Sequence, residues 1–394
     1  MTQKPPALGL ATLAVHAGEH RDPSGALDAP IVMSSAFAFE SADLAAGAFR
    51  GENEAYIYGR WANPTVEHLE QKLAALEQGG AAVATASGMA AISGALLSLL
   101  RAGDHLVAPR SMYGESARLL RERLPRLGIE TTFVDDPSPA SYEAAIRPTT
   151  RVLYAESPAN PMLAVTDLAA IGALARSRGL VSVADNTFAT PYCQTPLALG
   201  VDLVVHSMTK ALGGHGDAIG GCVVGPVGLL DAVRDTVVKG FGGVLSPFNA
   251  WLVARGIATF ALRQREACAS ASAIARWLAS HPAVARVHYP GLASHPGHAI
   301  AARQMRAFGA LVAFELEGGL DAARDVVDRV ELVSHAVSLG DTRSLITHPA
   351  STTASTMPAD DRRRAGIGDG LLRLSVGIED ADDLLRDLAH ALPA

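Results

Sequence analysis

Between about residue 80 and residue 225, short apolar or β-branched runs alternate with helix-forming stretches, which restricts the chain to few architectures. The runs fall at 82–85, 105–108, 152–155, 180–184, 202–205 and 221–224. Strands separated by helices become parallel neighbours with helices on both faces, so an α/β fold built on a mostly parallel sheet is expected. In open sheets of this kind, ligands gather beyond the carboxyl ends of the strands. Nearly every run here is followed at once by polar residues capable of chemistry.

At 394 residues the chain exceeds the size at which a single hydrophobic core stops growing, so more than one domain is expected. Residues 1 to about 60 hold turn formers such as His20-Arg-Asp-Pro-Ser-Gly25 and lack periodicity, and we read them as an arm contacting a neighbouring subunit. Residues 61–245 form the large domain, opened by a helix that Asn63 caps, with Pro64 at its first position and Val66, Leu69, Leu73 and Leu76 on one face. Residues 246–394 supply a long linking helix, expected to run to Leu278, and a smaller α/β unit. That unit includes the strand Ala310-Leu-Val-Ala-Phe-Glu-Leu316 and a closing amphipathic helix capped by Asp380.

A net charge of -7 without a basic block argues against a nucleic-acid partner. Cys193, Cys222 and Cys268 are odd in number and far apart in sequence, which indicates neither a disulfide framework nor a metal site. A reducing cytoplasm fits best. Met1-Thr-Gln-Lys-Pro-Pro has no cationic start leading into an apolar segment, and no run is long enough to cross a bilayer, so neither a secretory signal nor a membrane partner is expected.

The chain has only four lysines. Lys4 lies in a polar tail, Lys72 on a helix with its apolar stripe elsewhere, and Lys239 in a Gly-rich segment. Lys210 alone follows directly from an apolar strand, in Val201-Asp-Leu-Val-Val-His-Ser-Met-Thr-Lys210. Desolvation there would lower its pKa and make it a nucleophile toward aldehydes, although a lysine can also simply snorkel from a strand end. Ser87 and Gly88 open an apolar helix and can either cap it or seat a phosphate on its free N–H groups, with Ser207 and Thr209 as further donors. Asp185 ends a strand, where it can hold a protonated pyridine nitrogen or merely cap a turn. Tyr113 could stack on a flat ring, and Asn160 could donate to a ring oxygen or belong to ordinary Asn-Pro turn chemistry. Phosphate donors, a stacking ring, an acid and a lysine at one sheet edge together describe pyridoxal 5'-phosphate.

The segments Ser87-Gly-Met, Glu156-Ser-Pro-Ala-Asn-Pro161, Asp185-Asn-Thr, His206-Ser-Met-Thr-Lys210, Tyr289-Pro-Gly-Leu, Ser338-Leu-Gly-Asp and Arg373-Leu-Ser-Val-Gly-Ile-Glu379 carry a resemblance. In order and type, they resemble those of the pyridoxal-phosphate enzymes of cysteine and methionine metabolism, from Val15 to the C-terminal helix. The resemblance implies the aspartate-aminotransferase-like (type I) fold, with a seven-stranded-type sheet in the large domain, and a homotetramer built from two dimers. It also implies that Lys210 holds the cofactor aldehyde and moves protons, that Asp185 pairs with the pyridine nitrogen, and that Tyr113 stacks and assists the leaving group. Gly88, Met89, Ser87, Ser207 and Thr209 would hold the phosphate, joined by Tyr58 and Arg60 from the adjacent subunit. Asn160 would touch the ring oxygen and the substrate, and Arg373 would clamp the substrate α-carboxylate with Ser338 nearby. No metal is implied.

Within the family, Gly214-His-Gly-Asp217, His288-Tyr-Pro-Gly-Leu-Ala-Ser294 and Leu374-Ser-Val-Gly-Ile-Glu-Asp380 resemble methionine γ-lyases. Glu115 stands where those enzymes carry a cysteine, and Val238-Lys239 where they carry Lys-Asp. Ser246-Pro-Phe-Asn-Ala-Trp251 and Asp341-Thr-Arg-Ser-Leu-Ile-Thr-His-Pro349 are instead similar to O-acylhomoserine sulfhydrylases. Arg343 stands where cystathionine enzymes and many lyases carry glutamate, which disfavours cystathionine as substrate. The expected reaction is γ-elimination from L-methionine, giving 2-oxobutyrate, methanethiol and ammonia. The alternatives are sulfhydrylation of an O-acylhomoserine and, after it, cystathionine γ-synthase or γ-lyase chemistry. A nicotinamide dehydrogenase is disfavoured because the turn at Ser87-Gly88 lacks GxGxxG, a serine hydrolase because GxSxG is missing, and a zinc enzyme because no spaced His/Cys cluster occurs.

Overall fold

The computed structural model describes residues 8–19, 22–355, 357 and 359–393. The N-terminal segment with Lys4, and His20 and Arg21 of the turn-rich stretch, lie outside the described residues. Seven strands form the first sheet: β1 (Ala81–Thr85), β2 (His105–Pro109), β3 (Glu130–Val134), β4 (Thr150–Glu156), β5 (Val181–Asp185), β6 (Leu203–Ser207) and β7 (Gly221–Gly225). Their spatial order is β1-β7-β6-β5-β4-β2-β3, with β7 antiparallel to β1 and β6 and every other pairing parallel.

Side chains alternate across this sheet because the strand period is two. Val83, Val183, Leu203, Val205 and Val223 enter one core with Ile92 and Leu96 of the helix Gly88–Leu99. Ala82, Ala84, Cys222 and Val224 enter another with Leu69, Leu73 and Leu76 of the helix Pro64–Glu77. Asn63 starts that second helix by accepting hydrogen bonds from the amides of Thr65 (2.9 Å) and Val66 (3.3 Å). Strand β3 was not among the apolar runs. Its sequence, Glu130-Thr-Thr-Phe-Val134, is polar because it sits at the sheet edge, half open to water.

The second sheet contains β8 (Val284–His288), β9 (Leu311–Leu316), β10 (Ser334–His335), β11 (Leu345–Thr347) and β12 (Leu371–Ser375), in the order β10-β11-β12-β9-β8. Val312, Phe314, Ile346, Leu372 and Leu374 pack against Ile274, Leu278, Leu384 and Leu388. Burial of each such side chain is worth about 1.5–3 kcal/mol.

Three local expectations need correction. The long linking helix is two helices, Pro247–Ala258 and Phe260–Leu278, separated at Thr259. Asp380 stands at the start of the helix Ala381–Ala391, but its side chain makes no capping bond; its carbonyl accepts from Asp383 and Leu384 instead. Lys72 is not a surface lysine: it is buried, and its Nζ donates to the carbonyls of Ala14 (3.0 Å) and Val15 (2.7 Å), which ties down the helix Leu10–His16.

Candidate active site

The carboxyl ends of β4, β5 and β6 lie side by side, with Glu156 opposite Asp185 and Asp185 opposite Val205 in register. Chain continuity therefore brings Glu156, Asp185, Ser207 and, one turn later, Thr209 and Lys210 to one edge. Across from them, β1 leads into Ser87, which accepts a hydrogen bond from the Ala90 amide (3.1 Å) and starts the twelve-residue helix Gly88–Leu99. Between these ends is a cavity of about 220 Å³ lined by Ser87, Gly88, Met89, Ile92, Tyr113, Glu156, Asp185, Thr187, Phe188, Ser207, Thr209 and Lys210.

The Lys210 amine donates to Ser338 Oγ (2.8 Å). Burial, with a smaller contribution from the Arg373 charge, lowers its pKa to about 8 from the ordinary 10.5. Ser338 lies between β10 and β11 at φ 111, a strained backbone for a residue with a Cβ, and its carbonyl accepts from Arg373 Nη2 (2.9 Å). Arg373 on β12 is buried, gives its Nη1 to Asn160 Oδ1 (2.8 Å), and lies 6.0 Å from the Phe188 ring centre. Desolvation brings its pKa down to about 10, and its Nε has no partner among the described residues. A buried guanidinium with an unused donor is suited to an incoming carboxylate.

Burial raises the pKa of both Glu156 and Asp185, and their adjacency raises Glu156 further. Two neighbouring carboxylates out of water ionise together only when a cation joins them, and a protonated pyridine nitrogen beside Asp185 is such a cation. The phosphate end fits equally well. Ser87 satisfies the Ala90 amide and leaves those of Gly88 and Met89 for an anion, at a helix N-terminus where the dipole favours one. The approach there requires glycine: a Cβ on Gly88 would come within 2.7 Å of the Ser207 Cβ, and one on Gly221 within 2.1 Å of the Ser87 carbonyl oxygen. These residues are compatible with pyridoxal phosphate from ring to phosphate.

Eleven of the residues singled out in the sequence thus converge, eight of them, Lys210 and Tyr113 included, as cavity lining. Ser338, Arg373 and Asn160 do not line the cavity but stand behind Lys210 through the bonds above. Thr209 is already engaged, accepting from the Gly220 amide (3.1 Å). Tyr58 and Arg60 are not at this cavity within the single chain. The Arg60 guanidinium lies 5.7 Å from the Tyr58 ring centre and donates to the Lys239 carbonyl. Glu115 faces outward to Arg118 (3.7 Å) and Arg123 (3.9 Å), and Arg343 pairs at the surface with Asp341 (3.6 Å). Cys193 and Cys268, distant in sequence, are both buried with their Sγ atoms 3.8 Å apart, unbonded.

Glu156, Thr187 and Phe188 line the cavity without having been singled out. Glu156 and Thr187 lie within recognised motifs, so their strand-end position was a usable signal. Phe188 carried none, because its place under Arg373 depends on the second sheet.

The chain matches the family of Cys/Met metabolism PLP-dependent enzymes over residues 11–393. An L-methionine gamma-lyase of Fusobacterium nucleatum subsp. polymorphum is 47% identical, over 98% of both chains. An O-succinylhomoserine sulfhydrylase of Pseudomonas aeruginosa is 43% identical, over 97% of this chain and 95% of its own. A Campylobacter jejuni structure carrying N'-pyridoxyl-lysine-5'-monophosphate superposes with a TM-score of 0.94 at 33% identity, covering 98% of this chain and 100% of that one. The fold is accordingly the type I, aspartate-aminotransferase-like one, and the cofactor is pyridoxal 5'-phosphate. The chain belongs to the Cys/Met-metabolism family of PLP-dependent enzymes.

Proposed function

We propose that the enzyme carries out γ-elimination on L-methionine, yielding 2-oxobutyrate, methanethiol and ammonia. The observation that carries this reading is the connected set Lys210–Ser338–Arg373, which joins a lysine of lowered pKa to a buried carboxylate clamp. The methionine γ-lyase relative, similar along nearly its whole length, supports the choice of substrate.

When bound, pyridoxal phosphate supplies an aldehyde that condenses with amines and a ring that accepts the electron pair left at Cα. Arg373 receives the substrate α-carboxylate on its free donors and fixes the Cα–H direction. Lys210 would take the Cα proton, hand it on, and so regain the neutral amine that takes one from Cβ; near its pKa it both accepts and returns protons. Tyr113, beside the cavity mouth, delivers a proton to the departing sulfur. Asp185 keeps the ring nitrogen protonated, while Gly88, Met89, Ser87, Ser207 and Thr209 hold the phosphate. Asn160, held between Glu156 and Arg373, orients the ring oxygen and substrate.

We assign Tyr58 and Arg60 to the phosphate of a neighbouring subunit in a homotetramer, which accounts for their exposure and for the N-terminal arm. A reducing cytoplasm suits the three free cysteines. Replacement rather than elimination is the second reading, supported by the O-succinylhomoserine sulfhydrylase relative. Incubation of pure holoenzyme with L-methionine separates them: 2-oxobutyrate and methanethiol are expected. Inertness toward methionine, with consumption of O-succinylhomoserine and sulfide, would assign replacement instead.

A further inference from the structure

We propose that Glu156 is a positioning residue: from the end of β4, its carboxylate sets where Tyr113 and the Arg373 guanidinium stand relative to Lys210. The inference rests on the reading that Arg373 receives the substrate carboxylate.

Glu156 is buried and uses each oxygen once. Oε2 accepts from the Tyr113 amide (2.9 Å) and Oε1 from the Asn160 amide (2.8 Å). Asn160 in turn accepts from Arg373 Nη1 through its Oδ1 (2.8 Å), Arg373 Nη2 donates to the Ser338 carbonyl (2.9 Å), and Ser338 Oγ accepts from Lys210 (2.8 Å). One hydrogen-bonded line therefore runs from the stacking tyrosine to the lysine. It crosses from the seven-stranded sheet, which carries Glu156, to the five-stranded sheet, which carries Arg373. Glu156 is where that line ties the Tyr113 loop to the Asn160 loop.

Two backbone N–H donors need two acceptors. A carboxylate has them, whereas the amide of glutamine offers one oxygen and turns an NH₂ toward the other N–H. A buried N–H left without an acceptor moves or pulls in water. In Glu156→Gln, either the Tyr113 loop or the Asn160 loop therefore shifts, and Arg373 follows Asn160. No proton transfer at Glu156 is required.

The test uses holoenzyme and L-norleucine, in which a methylene replaces the methionine sulfur. It has no leaving group, so its binding and the exchange of its α-proton into deuterium oxide do not depend on which γ-reaction the enzyme performs. Glu156→Gln is expected to weaken L-norleucine binding, read from the visible absorption change per cofactor-loaded site, by roughly tenfold or more, and to slow α-proton exchange. Asn160→Ala alone is expected to weaken binding similarly, and to add less than about threefold in the Glu156→Gln background, because both break the same line. Binding within about twofold of the parent for Glu156→Gln, or full additivity of the two losses, would overturn the proposal. If Glu156→Gln does not load cofactor, Glu156→Asp keeps both acceptors but withdraws them by one methylene. Weakened binding is expected from it, and unchanged binding would overturn the proposal. Arg373→Lys tests the underlying reading separately: unchanged L-norleucine affinity there removes the carboxylate clamp itself.

Discussion

A lysine amine attacks an aldehyde only when it is neutral, so the pKa of Lys210 sets when the apoenzyme can take up its cofactor. With that pKa near 8, recombination of apoenzyme with pyridoxal phosphate should accelerate as pH rises through about 8 and level off above it. An ordinary lysine at 10.5 would still be accelerating at pH 10. Stopped-flow absorbance between pH 6.5 and 10 checks this; a rate that keeps rising without a plateau near 8 contradicts it. The placement of Lys210, Asp185 and Gly88 at the cavity was legible because each closely follows an apolar run, and the end of a strand is a position that sequence reveals. The importance of Glu156 as an anchor was not: one of its partners is 43 residues away and contributes only a backbone N–H, which any side chain at Tyr113 would equally supply. The burial of Lys72 was also hidden, since the carbonyls that satisfy it belong to a helix more than fifty residues earlier.

Strand β7 and the helix Gly88–Leu99 touch so closely that their meeting point depends on a missing side chain. A Cβ at position 221 would fall 2.1 Å from the Ser87 carbonyl oxygen and 2.7 Å from the Gly88 amide nitrogen. Gly221→Ala should therefore push the helix start out of line and loosen cofactor retention by roughly tenfold or more, measured by equilibrium dialysis, given that a displaced helix N-terminus gives up its anion contacts. Retention equal to the parent would show that the strand gives way instead. Beneath the same sheet, His206 Nε2 meets Glu77 Oε1 at 2.6 Å, and the Asn186 side chain donates to that oxygen at 2.7 Å. Both pair members are about 1% exposed, so Glu77→Ala leaves a buried imidazole N and the Asn186 amide short of an acceptor and should cost about 1–3 kcal/mol, seen as a lower unfolding midpoint in denaturant. The strands of the large sheet were readable from their apolar runs except β3, whose Glu130-Thr-Thr pattern suits an edge and carries no apolar signal. The break at Thr259 was unreadable for a related reason. Both flanking sequences favour helix, and Thr259 itself is not a helix-breaking residue type.

At the scale of the whole molecule, no arginine lines the cavity among the described residues, and Arg60 lies elsewhere, over Tyr58 and against Lys239. If the partner subunit's Arg60 completes each site, Arg60→Ala and Lys210→Ala chains should complement when co-expressed. A mixed pair contains one site with Lys210 and the partner subunit's Arg60 both intact, so activity should reappear well above either homogeneous preparation; none reappearing would place the whole site within one chain. The division into two sheets was legible from length and from the change in pattern after residue 246, whereas the bonds that join the sheets through Asn160, Arg373 and Ser338 were not, because they exist only once the sheets pack.

The claim on which everything else depends is that the site is organised around Lys210, and four lysines make it unusually direct to check. Holoenzyme reduced with borohydride, digested and sequenced by mass spectrometry should carry the pyridoxyl group on the peptide containing Lys210, and Lys210→Ala should carry none. A label on Lys4, Lys72 or Lys239 would contradict the account.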